Sequence, residues 1–250
     1  MKTFAYGTDP LRVQGKGGIR GKVRSANPFR GTDLPPAEGR MNEESTLATP
    51  EESRRAWRAL EESGAYRKGH FVIKETGLHY DEFFQVALAL QHTEHARVLC
   101  VALGRILRRS GILSGLSREK RFTLVAPEDA GIPVSFWLGE HLGADRILWV
   151  RKRNGEVSLR PLISIDSRDQ VVLVDDAVLT GTTLKATLDY VEKKGCEIRA
   201  VAAIVDRRET SGPFGHYPFF ALLRDKANIY KPESCPLCKK GEKLVELALA

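Results

Sequence analysis

Val171-Val172-Leu173-Val174-Asp175-Asp176-Ala177-Val178-Leu179-Thr180-Gly181-Thr182-Thr183 is the stretch on which the fold turns. Four consecutive apolar residues, two of the first three β-branched, predict a strand buried on both faces, as in a parallel sheet. Two carboxylates follow at its C-terminal end, and then a short run of hydroxyl residues around a glycine. Leu184, Leu188 and Val191 recur at the spacing of a helix. The unit is strand, loop, helix, and the fold class is α/β with a parallel central sheet flanked by helices.

Open parallel sheets bind ligands beyond the carboxyl ends of their strands, where a helix N-terminus offers unpaired N–H groups and partial positive charge. Thr180, Gly181, Thr182 and Thr183 are placed to cradle a phosphate, with Gly181 letting the backbone approach the anion. Asp175 and Asp176 would repel that phosphate directly. They suit a sugar diol, or a hydrated divalent cation beside it. A phosphate, a diol and a metal together describe a phosphorylated ribose. The plainer reading, an ordinary strand-to-helix turn with an acidic end and a threonine cap, explains each part but not their occurrence in one register.

These thirteen residues resemble the phosphoribosyl pyrophosphate (PRPP) motif of type I phosphoribosyltransferases. Two further stretches carry a resemblance to the orotate phosphoribosyltransferases. Gly69 to Asp81, a strand leading through Thr76-Gly77 toward an aromatic strand, is similar to their N-terminal substrate-side segment. The ending Tyr230-Lys231-Pro232-Glu233-Ser234-Cys235-Pro236-Leu237-Cys238 is similar to that of a bacterial subgroup. The likeness covers about residues 60–245.

Composition agrees with one α/β domain and an appendage: 250 residues, 42% hydrophobic, with no apolar run long enough to span a bilayer. The start, Met1 to Tyr6, lacks the apolar core of a signal peptide, and four cysteines do not make a secreted disulfide framework. The cytoplasm is the expected compartment, with no membrane partner. The net charge of +7 is concentrated at one end. Residues 1–40 hold eight basic and three acidic side chains, a balance of +5, which leaves +2 for the other 210 residues. The folded part therefore gives no electrostatic case for nucleic acid. Residues 1–48, rich in Gly, Arg and Pro without apolar period, are expected to be a disordered basic segment, and 49–250 the phosphoribosyltransferase domain. Met41 lies where the composition changes, and translation is expected to begin there naturally.

Pro50, Glu51 and Glu52 open a helix that runs to about Ser63. Gly69 to Asp81 reads as a small β-element beside the main sheet, and residues 82–109 as helix, with His92 and His95 as surface histidines. Arg121–Ala126, Ile132–Leu142 and Arg146–Val150 form a βαβ unit, and Gly143 closes its helix. Its first loop carries Glu128 and Asp129, two acids on the rim that holds the PRPP motif. Arg151-Lys152-Arg153-Asn154-Gly155 reads as a basic hairpin turn. Glu197–Val205 is another apolar strand, and Arg207 after it is placed to grip a planar carboxylate. Cys235 and Cys238 supply only two of the roughly four ligands of a structural zinc.

The resemblance implies the rest. The reaction would join orotate to PRPP, giving orotidine 5′-phosphate and pyrophosphate in pyrimidine biosynthesis, with Mg²⁺ as cofactor and a homodimer as the assembly. Lys152 and Asp176 would be catalytic. PRPP would be held by Asp175, Asp176, Thr180 to Thr183, Arg151, Lys152, Glu128 and Asp129, and Arg207 and Lys74 would bind orotate. Mg²⁺ would be held through PRPP near Asp175 and Asp176, with no protein ligand bound to it directly. Hypoxanthine- and guanine-using relatives place an acid three residues after the second aspartate. Leu179 stands there, and an aliphatic group cannot take a base proton. The competing readings are a PRPP-binding orphan or regulator without orotate turnover, favoured by Glu128-Asp129 and Leu179, and an RNA-binding regulator, which the charge distribution disfavours.

Overall fold

The computed structural model describes residues 47–153, 155–209 and 214–247. The expected basic segment lies almost wholly outside the described residues, as does Met41; the first described residue is Leu47, whose carbonyl accepts from Arg109 Nη2 at 2.7 Å. Helix α1 (Pro50–Glu62) starts on a capping box: Thr49 Oγ1 accepts from Glu52 N, and Glu52 Oε2 accepts from Thr49 N.

Strands β1 (Tyr66–Ile73) and β2 (His79–Phe84) form an antiparallel hairpin. Short helix α2 (Ala87–Leu90) and long helix α3 (Thr93–Arg109) follow. The single helix expected over residues 82–109 is thus divided. Glu82 to Phe84 are drawn into the hairpin by pairing with Tyr66 to Lys68, and His92, with extended backbone, separates the two helices.

The main sheet is built from β3 (Arg121–Pro127), α4 (Gly131–Leu142), β4 (Arg146–Arg153), β5 (Glu156–Ser158), β6 (Asp169–Val178), α5 (Thr182–Lys193), β7 (Glu197–Asp206) and β8 (Phe219–Arg224). Its order is β5-β4-β3-β6-β7-β8, parallel except for the antiparallel edge strand β5. Gly143 ends α4 in the left-handed conformation, φ 73°, returning its N–H to Gly139 O. The chain closes with β9 (Ile229–Tyr230), a 3₁₀ turn at Pro232–Ser234, α6 (Pro236–Lys239) and β10 (Leu244–Leu247). A second sheet of order β10-β1-β2-β9 results.

The period of two in β6 decides the layering. Val172 and Val174 face a core shared with Leu99 and Leu103 of α3 and Val134 and Leu138 of α4. Val171 and Leu173 face the opposite core, with Leu184, Leu188 and Val191 of α5. All four β6 residues are fully buried, so the strand is covered on both sides as its sequence requires. The small sheet keeps its own cluster of Phe71, Tyr80 and Phe83.

Candidate active site

Strand β6 outruns its neighbour. Its pairing with β3 stops at Leu173 opposite Val125, whereas its pairing with β7 continues to Val178 opposite Asp206. Asp175 and Asp176 therefore lie two residues inside the strand rather than at its tip, on the side where β3 has given way to the loop 128–130. Gly131, first residue of α4, closes on them: a Cβ there would stand 3.1 Å from Asp175 Oδ1 and 3.2 Å from Ala126 Cβ. Glycine at 131 is what lets the loop lie against the acids.

Asp176 N donates to Asp175 Oδ1 at 2.9 Å. Desolvation pushes the Asp175 carboxyl well above the usual carboxylate range, and the charge of Asp176 pushes the same way. Asp176 is raised as well, again chiefly by desolvation. Such a pair is primed for groups that favour its charged form, a cation or the hydroxyls of a diol.

Beyond Val178 the chain turns through exposed Leu179 and Thr180 into α5. Gly181 takes φ 77°, a left-handed conformation open to glycine, and no side chain caps the helix through it. The hydroxyls of Thr180 and Thr182 lie 3.0 Å apart on the surface, and Thr183 is exposed beside them. A cleft of about 170 Å³ is lined by residue 175 and residues 177–184, so an acid of the pair and the helix N-terminus share one space. That is the combination expected for a sugar phosphate.

The other expected site residues are distributed as follows. Glu128 accepts from Arg151 Nε at 2.6 Å, so the loop acid already has a counter-charge, while Asp129 is exposed. Arg151 and Lys152 lie in the β4–β5 hairpin, paired with Ser158 and Val157, and Lys152 points to solvent. Lys74 lies in the turn just after β1, where it is exposed and bonded to Glu246 of β10 at 2.9 Å; that bond raises its pKa. His92 is exposed, and His95 lies 3.6 Å from Glu62.

Arg207 departs most from expectation. It is a buried strut rather than an open rim cation: Nη2 donates to Glu82 Oε2 at 3.2 Å, Nε donates to Asp225 O at 3.3 Å, and the guanidinium lies over the Phe84 ring at 4.7 Å. Glu82 is itself 7% exposed and accepts from Tyr66 Oη at 2.8 Å. The chain Tyr66, Glu82, Arg207 thereby couples the small sheet to the end of β7. Its neighbour Arg208 is bidentate on Asp206 at 2.7 and 2.9 Å.

Two residues of note carried no expectation. His70 and His79, both buried, meet Cys235 and Cys238 in one cluster. The signal was two histidines flanking the Gly77 turn, but nothing local linked them to a tail some 160 residues away.

Residues 110–237 match the family model for the phosphoribosyl transferase domain. The orotate phosphoribosyltransferase of Thermus thermophilus is 32% identical over 185 residues, 74% of this chain and 95% of that protein. The orotate phosphoribosyltransferase of Carboxydothermus hydrogenoformans is likewise 32% identical, over 74% of this chain and 92% of its own length. Among solved structures, orotate phosphoribosyltransferase from Aeropyrum pernix aligns with a TM-score of 0.50 at 18% identity, covering 67% of this chain and 92% of that one. Adenine phosphoribosyltransferase from Trypanosoma brucei also aligns at 0.50, with 16% identity over 72% of this chain and 82% of that one. Fold alone therefore does not separate the bases, and the sequence relatives do the separating. With a domain match across the main sheet and relatives of this identity along nearly their whole length, the chain belongs to the phosphoribosyltransferase family, on the branch of the orotate phosphoribosyltransferases.

Proposed function

We propose that this protein transfers the phosphoribosyl group of PRPP to orotate, releasing pyrophosphate. The observation that carries the reading is the cleft shared by Asp175 of β6 and the N-terminus of α5. Thr180 to Thr183 anchor the 5-phosphate through hydroxyls and backbone N–H groups, and Asp175 and Asp176 receive the ribose hydroxyls. Orotate arrives as an anion, so the chain need not supply a strong base. Its task is to hold two partners in line and stabilise the charge that develops on the departing diphosphate.

The donor set suits Mg²⁺. Two adjacent carboxylates, both with raised pKa, gain from a cation in their neighbourhood, and the metal would neutralise the diphosphate to which it binds. Lys152, exposed on the β4–β5 hairpin, supplies a cation for that diphosphate, and Arg151 on the same hairpin neutralises Glu128. The expected assembly is a homodimer, which light scattering on the purified protein checks.

Arg207 is assigned to the orotate carboxylate on condition that Glu82 shares its guanidinium. The Glu82 pair favours a second reading, a PRPP-binding protein whose base pocket does not accept orotate. One assay divides them: protein, Mg²⁺ and PRPP with orotate, uracil, adenine or hypoxanthine, following pyrophosphate release. Turnover with orotate alone supports the first reading, and PRPP binding without turnover on any base supports the second.

A further inference from the structure

We propose that His70, His79, Cys235 and Cys238 form a structural zinc site that clips the C-terminal segment onto the small sheet. Their ligand atoms all lie within 4.8 Å of one another. His70 Nε2 is 2.9 Å from His79 Nδ1, 3.4 Å from Cys235 Sγ and 3.6 Å from Cys238 Sγ; Cys238 Sγ is 3.3 Å from His79 Nδ1. A tetrahedral zinc with Zn–N of about 2.0–2.1 Å and Zn–S of about 2.3 Å separates its ligand atoms by roughly 3.3–3.8 Å. These four separations run from 2.9 to 3.6 Å, within about 0.4 Å of that range.

Hydrogen bonding within the cluster does not account for it. His70 Nδ1 lies 2.9 Å from the carbonyl of Glu242, which can only accept, so Nδ1 carries the proton and Nε2 turns a lone pair inward. Three groups, His79 Nδ1 and both sulfurs, converge on that one lone pair. It can serve one donor. A divalent cation satisfies all four at once, with the thiols as thiolates and both imidazoles neutral. The Glu242 carbonyl then acts as the outer partner that fixes the ring.

The ligand set identifies the ion. Two sulfurs and two imidazole nitrogens in a tetrahedral arrangement select zinc over the hard cations, and Cys-x-x-Cys is a usual half-site. Four protein ligands leave no open position, so the site is structural rather than catalytic. His70 and His79 come from β1 and β2, while both cysteines come from the segment between β9 and β10. The ion would thus hold all four strands of a sheet whose own apolar cluster is centred on only Phe71, Tyr80 and Phe83. This inference does not rest on the assignment of the base.

The test is metal analysis of the full chain, purified under reductant without chelator and then reconstituted with zinc. About one zinc per chain is expected in the wild type, and almost none in Cys235→Ser/Cys238→Ser. Cobalt in place of zinc gives the intense visible bands of a tetrahedral site and thiolate charge-transfer absorption, a readout independent of how any variant folds. A single His79→Gln variant should weaken zinc retention at least tenfold and lower the Tm. Wild-type protein without zinc, zinc content unchanged by the cysteine substitutions, or cobalt spectra without thiolate bands would each overturn the proposal.

Discussion

Arg151 Nε donates to Glu128 Oε1 at 2.6 Å, tying the β4–β5 hairpin to the loop that follows β3. The two elements lie on the rim where a diphosphate would leave, and the pair cancels one of the two acids that would repel it. Both side chains are partly exposed, so little stability depends on the contact. The effect should be kinetic. Arg151→Ala uncovers Glu128 and is expected to raise the KM for PRPP about tenfold, about 1.4 kcal/mol, and Glu128→Gln to leave it equal or lower. Steady-state kinetics at fixed Mg²⁺ decide it; a higher KM in both variants would mean that Glu128 helps to hold PRPP.

The raised pKa values of Asp175 and Asp176, which come chiefly from desolvation, fix a pH signature. A carboxyl whose folded pKa exceeds its unfolded value, about 3.9, binds its proton more tightly in the folded chain. The associated penalty is absent below the unfolded value and grows as pH rises through the folded one. Asp175→Asn removes it, so the variant should be more stable than wild type at pH about 7–8, by roughly 2–4 °C in Tm for each kcal/mol recovered. That advantage should vanish below about pH 4, where both proteins carry neutral groups. PRPP affinity should fall by about 100-fold, since hydrogen bonds to a charged group contribute about 1.5–3 kcal/mol each. Thermal scans across pH, without ligand, would contradict this if the variant were less stable at neutral pH.

The main sheet was legible because its evidence is local. Val171 to Val174 announce a strand covered on both faces, and the two cores that receive them lie on the two sides that period two dictates. The Asp175, Asp176 and Thr180–Thr183 run was legible for the same reason, although β6 continues two residues past the acids because β7 goes on pairing with it. What was hidden depends on partners distant in sequence. Glu82 meets Arg207 across 125 positions, and His70 meets Cys235 across 165, so neither contact leaves a periodic trace. The strand state of Glu82 to Phe84 was hidden too, since these residues carry a pattern compatible with helix until β1 is present to pair with them.

Asp169 opens β6 at the end remote from the acid pair, and is fully buried. It accepts from Arg121 Nη2 at 2.7 Å, Arg146 Nη1 at 3.0 Å and Thr123 Oγ1 at 2.7 Å. Removing it takes a carboxylate from Arg146 and leaves Arg121 with Asp166 at 3.0 Å; both guanidinium groups are partly exposed, so the loss is about 1–3 kcal/mol. Asp169→Ala should therefore show a large fall in denaturation midpoint with the KM for PRPP and for orotate unchanged in the fraction that remains folded. A selective rise in either KM would show that this end of the strand communicates with the site.

Glu82 governs how much of the Arg207 charge a substrate can feel. Glu82→Gln keeps the shape and an acceptor for Tyr66 Oη, yet removes the carboxylate that faces the guanidinium at 3.2 Å. Stability should drop, because the buried guanidinium is then left with the more distant Asp225 carboxylate, at 3.9 Å, as its counter-ion. An anionic base should meanwhile bind more tightly: the KM for orotate is expected to fall by about tenfold, or 1.4 kcal/mol, with the KM for PRPP unaltered. Arg207→Ala should do the reverse to orotate, since it removes the cation and leaves Glu82 to repel the substrate. Should Glu82→Gln lower the Tm and leave the orotate KM where it was, Arg207 would be a strut alone, and the carboxylate of the base would have to be held by another group.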